Sequence, residues 1–163
     1  MKTLILVRHA KSSWLDPDLQ DFERPLLKKG ESRANKVAAY LKERQVFPDL
    51  IVSSHAVRAF ETAKIFAEGL GYPLHEIQVE SQVYFSGTSG LQEVVFGLPE
   101  EKNTVMMVGH NPAMTQFANE FLEDKIEYLS TSAVVSISFD TRKWEEIPLS
   151  IKKVNFIVNP KLL

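Results

Sequence analysis

An arginine and a histidine stand side by side at Arg8-His9, where the apolar run Leu4-Ile5-Leu6-Val7 ends. The run is too short for a confident helix and reads as a buried strand. In open α/β sheets ligands bind beyond the carboxyl ends of the strands, so both side chains fall where chemistry takes place. A guanidinium offers a planar fork for phosphate oxygens, and a neutral imidazole offers a nucleophile or base. Together they suit attack on an anionic, phosphorus-centred substrate. Two later segments repeat the arrangement: Ser53-Ser54-His55-Ala56-Val57-Arg58 after a second predicted strand, and Gly109-His110-Asn111-Pro112 after a third strong one. In a parallel sheet these loops emerge on one edge. Arg8, Arg58, His9 and His110 would then surround one tetrahedral anion, with cationic donors on its oxygens and one nitrogen free to attack in line.

The elements that must position these groups alternate along the chain. Residues 1–7 and 49–53 read as strands. Between them Gly30 opens a helical stretch whose Ala34, Val37, Ala38 and Leu41 share one face. Ala59, Thr62, Ala63, Phe66, Ala67 and Leu70 trace a second stripe, closed by Gly69 and Gly71 with Pro73 beyond. Residues 77–80 form a weak strand. Leu91, Val94, Val95 and Leu98 make a third helix capped by Thr88 or Ser89, and residues 103–108 a strong buried strand. Pro112 suits the first turn of a fourth helix with the face Met114, Phe117, Ala118, Phe121 and Leu122. The tail reads as strands at 133–139, 144–149 and 154–158, the first two joined by a hairpin through Asp140-Thr141-Arg142-Lys143. This order predicts an α/β fold: a three-layer α/β/α sandwich on a mixed, mostly parallel sheet, with no separate cap domain.

Composition narrows the function classes. The 163 residues, 44% hydrophobic and 25% charged, read as one domain over 1–163. A net charge of -2 gives no global field toward nucleic acid or an anionic membrane. With no cysteine there is no disulfide, thiolate catalysis or Cys-based zinc site. No run reaches the roughly 18–20 apolar residues of a membrane span, and Arg8 interrupts the N-terminal run too early for a signal peptide. A cytoplasmic protein is the expectation.

Val7-Arg8-His9-Ala10-Lys11-Ser12, then Arg24-Pro25-Leu26 and Gly30, resembles the opening of the histidine phosphatase superfamily. Ser53-Ser54-x-x-x-Arg58-Ala59 and Val108-Gly109-His110-Asn111-Pro112 match its later motifs in order. The Arg-His-Ala-Lys-Ser form, the small size and Phe139-Asp140 before Trp144 are similar to the SixA-like phosphohistidine phosphatases. The resemblance implies a phosphoglycerate mutase-like sheet and a metal-independent phosphohydrolase without cofactor. His9 would be the nucleophile that is transiently phosphorylated, Arg8 and Arg58 would hold the phosphoryl oxygens, and His110 would donate to the phosphoryl group. The partner would be a phosphohistidine protein. The alternatives are a small-molecule phosphomonoester (phosphosugar) phosphatase or mutase, or a silent phosphoprotein-binding module. Lacking the long insertions that enclose small substrates in larger relatives, the chain suits an open groove for a protein surface.

The wider superfamily often uses a carboxylate to protonate the leaving oxygen. Glu80, Asp16, Asp21 and Glu23 are the candidates here, and a phosphoramidate lessens the need because a leaving imidazole is protonated more readily than an alkoxide. The long loop 12–29 would bring Arg24 near the mouth of the site. Trp14 and Tyr84 could line the groove. His55 stands where related sequences often carry proline, and it and His75 read as ordinary surface or loop histidines. No metal site is expected, since the arginines beside His9 and His110 would repel a divalent cation.

Overall fold

A computed structural model describes residues 1–163. Strand β1 (Lys2–Arg8) lies inside a six-stranded sheet with β2 (Leu50–Ser53), β3 (Gln78–Val79), β4 (Thr104–Gly109), β5 (Val134–Phe139) and β6 (Lys152–Val158), in the order β3-β2-β4-β1-β5-β6. The first four run parallel, whereas β5 and β6 add antiparallel pairs at one side. Both faces of β1 are apolar because both are covered. Leu4 and Leu6 point into one core, Ile5 and Val7 into the other. Helices α1 (Lys28–Glu43) and α2 (Val57–Leu70) cover the Ile5 face; α4 (Gly87–Phe96) and α5 (Ala113–Asn119) cover the Leu4 face, with a single turn α3 (Gln82–Phe85) preceding α4.

The predicted stripes are the buried ones. Ala34, Val37, Ala38 and Leu41 of α1 pack against Ala59, Ala63, Phe66, Ala67 and Leu70 of α2. Gly71, at φ 72°, ends α2 in the left-handed cap conformation, but Gly69 lies inside the helix. A Cβ there would stand 2.8 Å from Cβ of Ala38, so that glycine sets the α1–α2 approach.

Helix boundaries differ by a turn or less. Helix α1 begins at Lys28, and α4 is entered through Ser86 rather than capped by Thr88 or Ser89. Pro112 occupies the N-cap of α5, and Leu98, Phe121 and Leu122 are buried just beyond their helix ends.

Residues 144–149 are not a strand but a 3-10 helix, and Asp140–Lys143 is not a hairpin turn. The reason is periodicity: Trp144 and Ile147 are buried (2% and 0% exposed) with Glu145, Glu146 and Leu149 exposed, a spacing of three that fits three residues per turn. Trp144 is further fixed by its indole donating to the Lys102 carbonyl (2.9 Å) and by the buried Lys2 ammonium lying over its ring. On the side away from β1, β5 pairs antiparallel with β6, which begins at Lys152, two residues before the predicted strand. No helix is long and apolar enough to cross a membrane.

Candidate active site

The carboxyl edge of the parallel strands carries the three loops singled out by their arginines and histidines. The ladder continues past the strand ends. His9 N–H donates to Gly109 O (3.0 Å), Ser54 N–H to Val108 O (3.1 Å), and Glu80 N–H to Ser53 O (2.9 Å). Backbone pairing therefore fixes the residues after the strands almost as firmly as the strands themselves. Gly30 allows the start of α1 to close on this edge, because a Cβ would lie 2.3 Å from the Lys11 carbonyl oxygen.

His9 is buried, and its Nδ1 lies 2.7 Å from the Ala10 carbonyl. A carbonyl only accepts, so Nδ1 carries the proton and Nε2 keeps its lone pair. The Ala10 N–H donates to the Thr62 hydroxyl (2.9 Å), which donates to the Arg58 carbonyl (2.7 Å), tying the loop that carries His9 to α2. The His110 ring stands 5.1 Å from the His9 ring, centroid to centroid. His110 Nε2 pairs with the Ser54 hydroxyl at 2.8 Å. That oxygen also accepts from Ala56 N–H (3.1 Å); when the Ser54 proton is directed at Nε2, the His110 proton lies on Nδ1.

Arg8 and Arg58 complete the group, and Arg24 joins it. The charges of Arg58, Arg8 and Arg24 all act on His9. Arg8 donates to the Leu129 carbonyl (3.0 Å). Arg58 donates through one terminal nitrogen to the Asp21 carbonyl (2.7 Å) and through the other to its carboxylate (2.9 Å). Arg24 donates to the other Asp21 oxygen (3.2 Å) and to Ser12 Oγ (3.1 Å). Buried polar atoms without any partner are uncommon and cost about 1–3 kcal/mol each. Three of them belong to this group of residues: Arg8 Nε, Arg58 Nε and His110 Nδ1. All three are donors in the protonation states just derived. A cleft of about 550 Å³ between residues 120–124 and β6 has neither imidazole nor guanidinium in its lining. Converging donors, not size, mark the site.

Burial, chiefly, and then the neighbouring guanidiniums bring the His9 pKa down to about 4. Burial, then the charges of His9 and Arg58, bring His110 down to about 3. Both rings are neutral at pH 7. For Asp21, desolvation pushes upward, but hydrogen bonds from Tyr84 and Arg58 and the two arginine charges prevail and hold it at about 2.

These shifts predict a pH dependence of stability. From the ordinary value of 6.5 down to the folded values, the unfolded chain binds more protons at His9 and His110 than the folded chain does. Stability therefore falls as pH drops through that window, the penalty being absent above 6.5 and complete below about 3. The Asp21 contribution is present above 3.8 and disappears only toward 2. Between pH 4.5 and 6.5 the melting temperature should thus fall with acid in the native protein. It should fall less steeply in a His9→Gln/His110→Gln variant; equal slopes would contradict the assignment.

The four candidate acids are distributed differently. Asp16 accepts from Asp18 N–H (3.0 Å), Glu23 from Gln20 N–H (3.1 Å) and Glu80 from the Gln78 amide (2.7 Å). Asp21 alone enters the site, as an ionised anchor for two arginines and the hydroxyl of Tyr84. His55, read as an ordinary loop histidine, is instead half-buried among rings, 4.9 Å from Tyr84, 5.3 Å from Phe85 and 5.9 Å from Phe22. The sequence signal for it was its place one residue after Ser54. Tyr84 packs edge-on against His110 at 5.2 Å. Trp14, 77% exposed, lies over the Arg24 guanidinium at 3.3 Å. His75 stays at the surface beside Glu76.

The mixed sheet thus carries a cluster of imidazoles and guanidiniums at the carboxyl edge of its parallel strands, in an α/β protein. Residues 4–100 match the family model of the histidine phosphatase superfamily (branch 1), and the chain belongs to that superfamily, whose members are phosphatases and mutases. An uncharacterised chloroplastic protein of Arabidopsis thaliana is 34% identical over 89% of this chain and 70% of its own length. In structure the chain is similar to the SixA protein of Agrobacterium tumefaciens (TM-score 0.80, 23% identity, 98% and 99% of the two chains covered). It is equally similar to a protein histidine phosphatase SixA complexed with tungstate (TM-score 0.79, 22% identity, 98% of each chain).

Proposed function

We propose that this chain is a phosphohydrolase that removes the phosphoryl group from protein phosphohistidine through a phosphohistidine formed on its own His9. The observation that carries the reading is that Arg8, Arg58 and His110 lie close to a neutral His9 whose Nε2 is free, each of the three holding a buried nitrogen without a partner. Likeness to a SixA bound to tungstate, a tetrahedral oxyanion, supports the same reading.

In the first step the His9 Nε2 lone pair attacks phosphorus. The bond from phosphorus to the substrate nitrogen breaks, and the leaving imidazole keeps that electron pair and takes up a proton from solvent, which the attacking water gives back in the second step. Arg8, Arg58 and His110 donate to the phosphoryl oxygens, and their fixed orientation costs no reorganisation as charge shifts. In the second step water attacks the phosphorus of phospho-His9. The electrons of the breaking N–P bond return to Nε2, and inorganic phosphate leaves. The Ala10 carbonyl holds the Nδ1 proton throughout, so the same nitrogen is presented in every cycle. Fixed guanidinium charges supply the stabilisation that a divalent ion provides in other phosphoryl transfers.

The test is a trapping experiment with a ³²P-phosphohistidine protein, in the presence of chelator and with a denaturing quench. Label that is acid-labile, alkali-stable and confined to His9 is the expected result. Hydrolysis with no label on the chain, or label on another residue, overturns the reading.

A further inference from the structure

We propose that the rings of His55, Tyr84 and Phe85 form a stacking wall for the leaving group, so that this site selects phosphoryl groups carried on a planar aromatic ring over those carried on an alkyl chain. The inference rests on the phosphohydrolase reading and names the class of leaving group that the same pocket prefers.

The observation is an unbroken path of rings from the nucleophile to solvent. His9 and His110 stand 5.1 Å apart, His110 and Tyr84 5.2 Å, and Tyr84 and Phe85 4.7 Å. His55 braces the outer part, within 4.9 Å of Tyr84 and 5.3 Å of Phe85. Aromatic pairs prefer centroid separations of about 4.5–7 Å in offset or edge-on geometry, and every contact on this path falls within that range. A single exposed phenylalanine needs no explanation. Phe85, however, is 72% exposed and only two ring contacts from His110, at the solvent end of that path. His55 strengthens the argument. Its Nδ1 is buried with no partner, a cost that an aliphatic residue packed there would not carry. What the imidazole contributes is a flat ring continuous with the other two.

Charge points the same way. The wall itself holds no carboxylate, and the one near it, Asp21, is already engaged by Arg24, Arg58 and Tyr84. An alkylamine leaving from phospholysine would meet no flat partner of its own. An imidazole or a phenol would meet three rings.

Two substrate pairs separate the ring from the bond that breaks. Phosphohistidine and phospholysine share a phosphorus–nitrogen bond, and phenyl and cyclohexyl phosphate share a phosphorus–oxygen bond. For each pair the ratio of kcat/KM, aromatic over alkyl, is measured in the native chain and in Phe85→Leu and His55→Leu. These changes keep apolar bulk and remove a ring, and taking the ratio across variants cancels the intrinsic difference between leaving groups. Phe85→Leu alters an exposed side chain, so it keeps the test open should His55→Leu fold poorly. The aromatic preference should drop by about 3- to 10-fold, the worth of one aromatic contact. A drop in the nitrogen pair alone assigns the wall to imidazole, and a drop in the oxygen pair alone assigns it to phenol. Unchanged ratios in both pairs overturn the wall while leaving the phosphohydrolase intact. A native chain that hydrolyses none of the four substrates removes the phosphohydrolase reading, and the wall with it.

Discussion

His9→Gln is expected to lower kcat by roughly 10⁴-fold or more, the scale seen when a nucleophile is removed from an otherwise intact constellation. Glutamine approximates the volume of the ring and can still place a donor near the Ala10 carbonyl, but its amide nitrogen has no lone pair available for phosphorus. The anion pocket itself does not depend on His9 for charge, since the imidazole is neutral down to a pH of about 4 and the positive groups are Arg8, Arg58 and Arg24. The variant should therefore still bind tungstate or phosphate, measured by calorimetry, while losing turnover and all covalent label. Activity above about one hundredth of native would mean that another group attacks phosphorus. In the native enzyme the acid limb of the rate profile should lie near pH 4 rather than 6.5.

Much of this site can be read from the chain because the groups that meet there each follow a strand. Leu4–Val7, Leu50–Val52 and Val105–Val108 are apolar on both faces, so they belong to the middle of a covered parallel sheet, and such a sheet brings its carboxyl ends together. Arg8-His9, Arg58 and Gly109-His110 then have to meet, whatever the loops do. The segment 144–149 shows where that logic fails. It reads as a strand in isolation, but the placement of Trp144 depends on Lys2, at the other end of the chain, and on the Lys102 carbonyl, 42 residues away. The role of Asp21 was hidden for a similar reason. A carboxylate in a long polar loop reads equally well as an acid or as surface, and only the partners fix its state: Arg58, 37 residues on, and Tyr84, 63 residues on. His55 is the third instance, since its neighbours Phe22, Tyr84 and Phe85 come from two other segments.

Arg58 is where the loss of one side chain should cost most after the nucleophile. Arg58→Ala is expected to reduce kcat/KM by roughly 10²–10³-fold, as for deletion of a donor aimed at developing charge in a dry site. Lysine should recover little of this. Its ammonium carries the charge, but the native fork spends both terminal nitrogens on Asp21, at 2.7 and 2.9 Å, and keeps a third donor, Nε, buried without a partner. One point charge cannot hold the Asp21 loop and donate to phosphate at once. A loss of turnover through disordering of that loop has to be told apart from loss of the donor. Guanidinium ion supplied at millimolar concentration does this, because it can occupy the vacated position of Arg58→Ala and restore a donor to the pocket. Rescue that saturates, appears in kcat/KM and is absent in Arg58→Lys places the guanidinium on the reacting phosphoryl group. Full activity in Arg58→Ala without rescue would remove Arg58 from the site, and with it the pairing of Asp21 that organises the mouth.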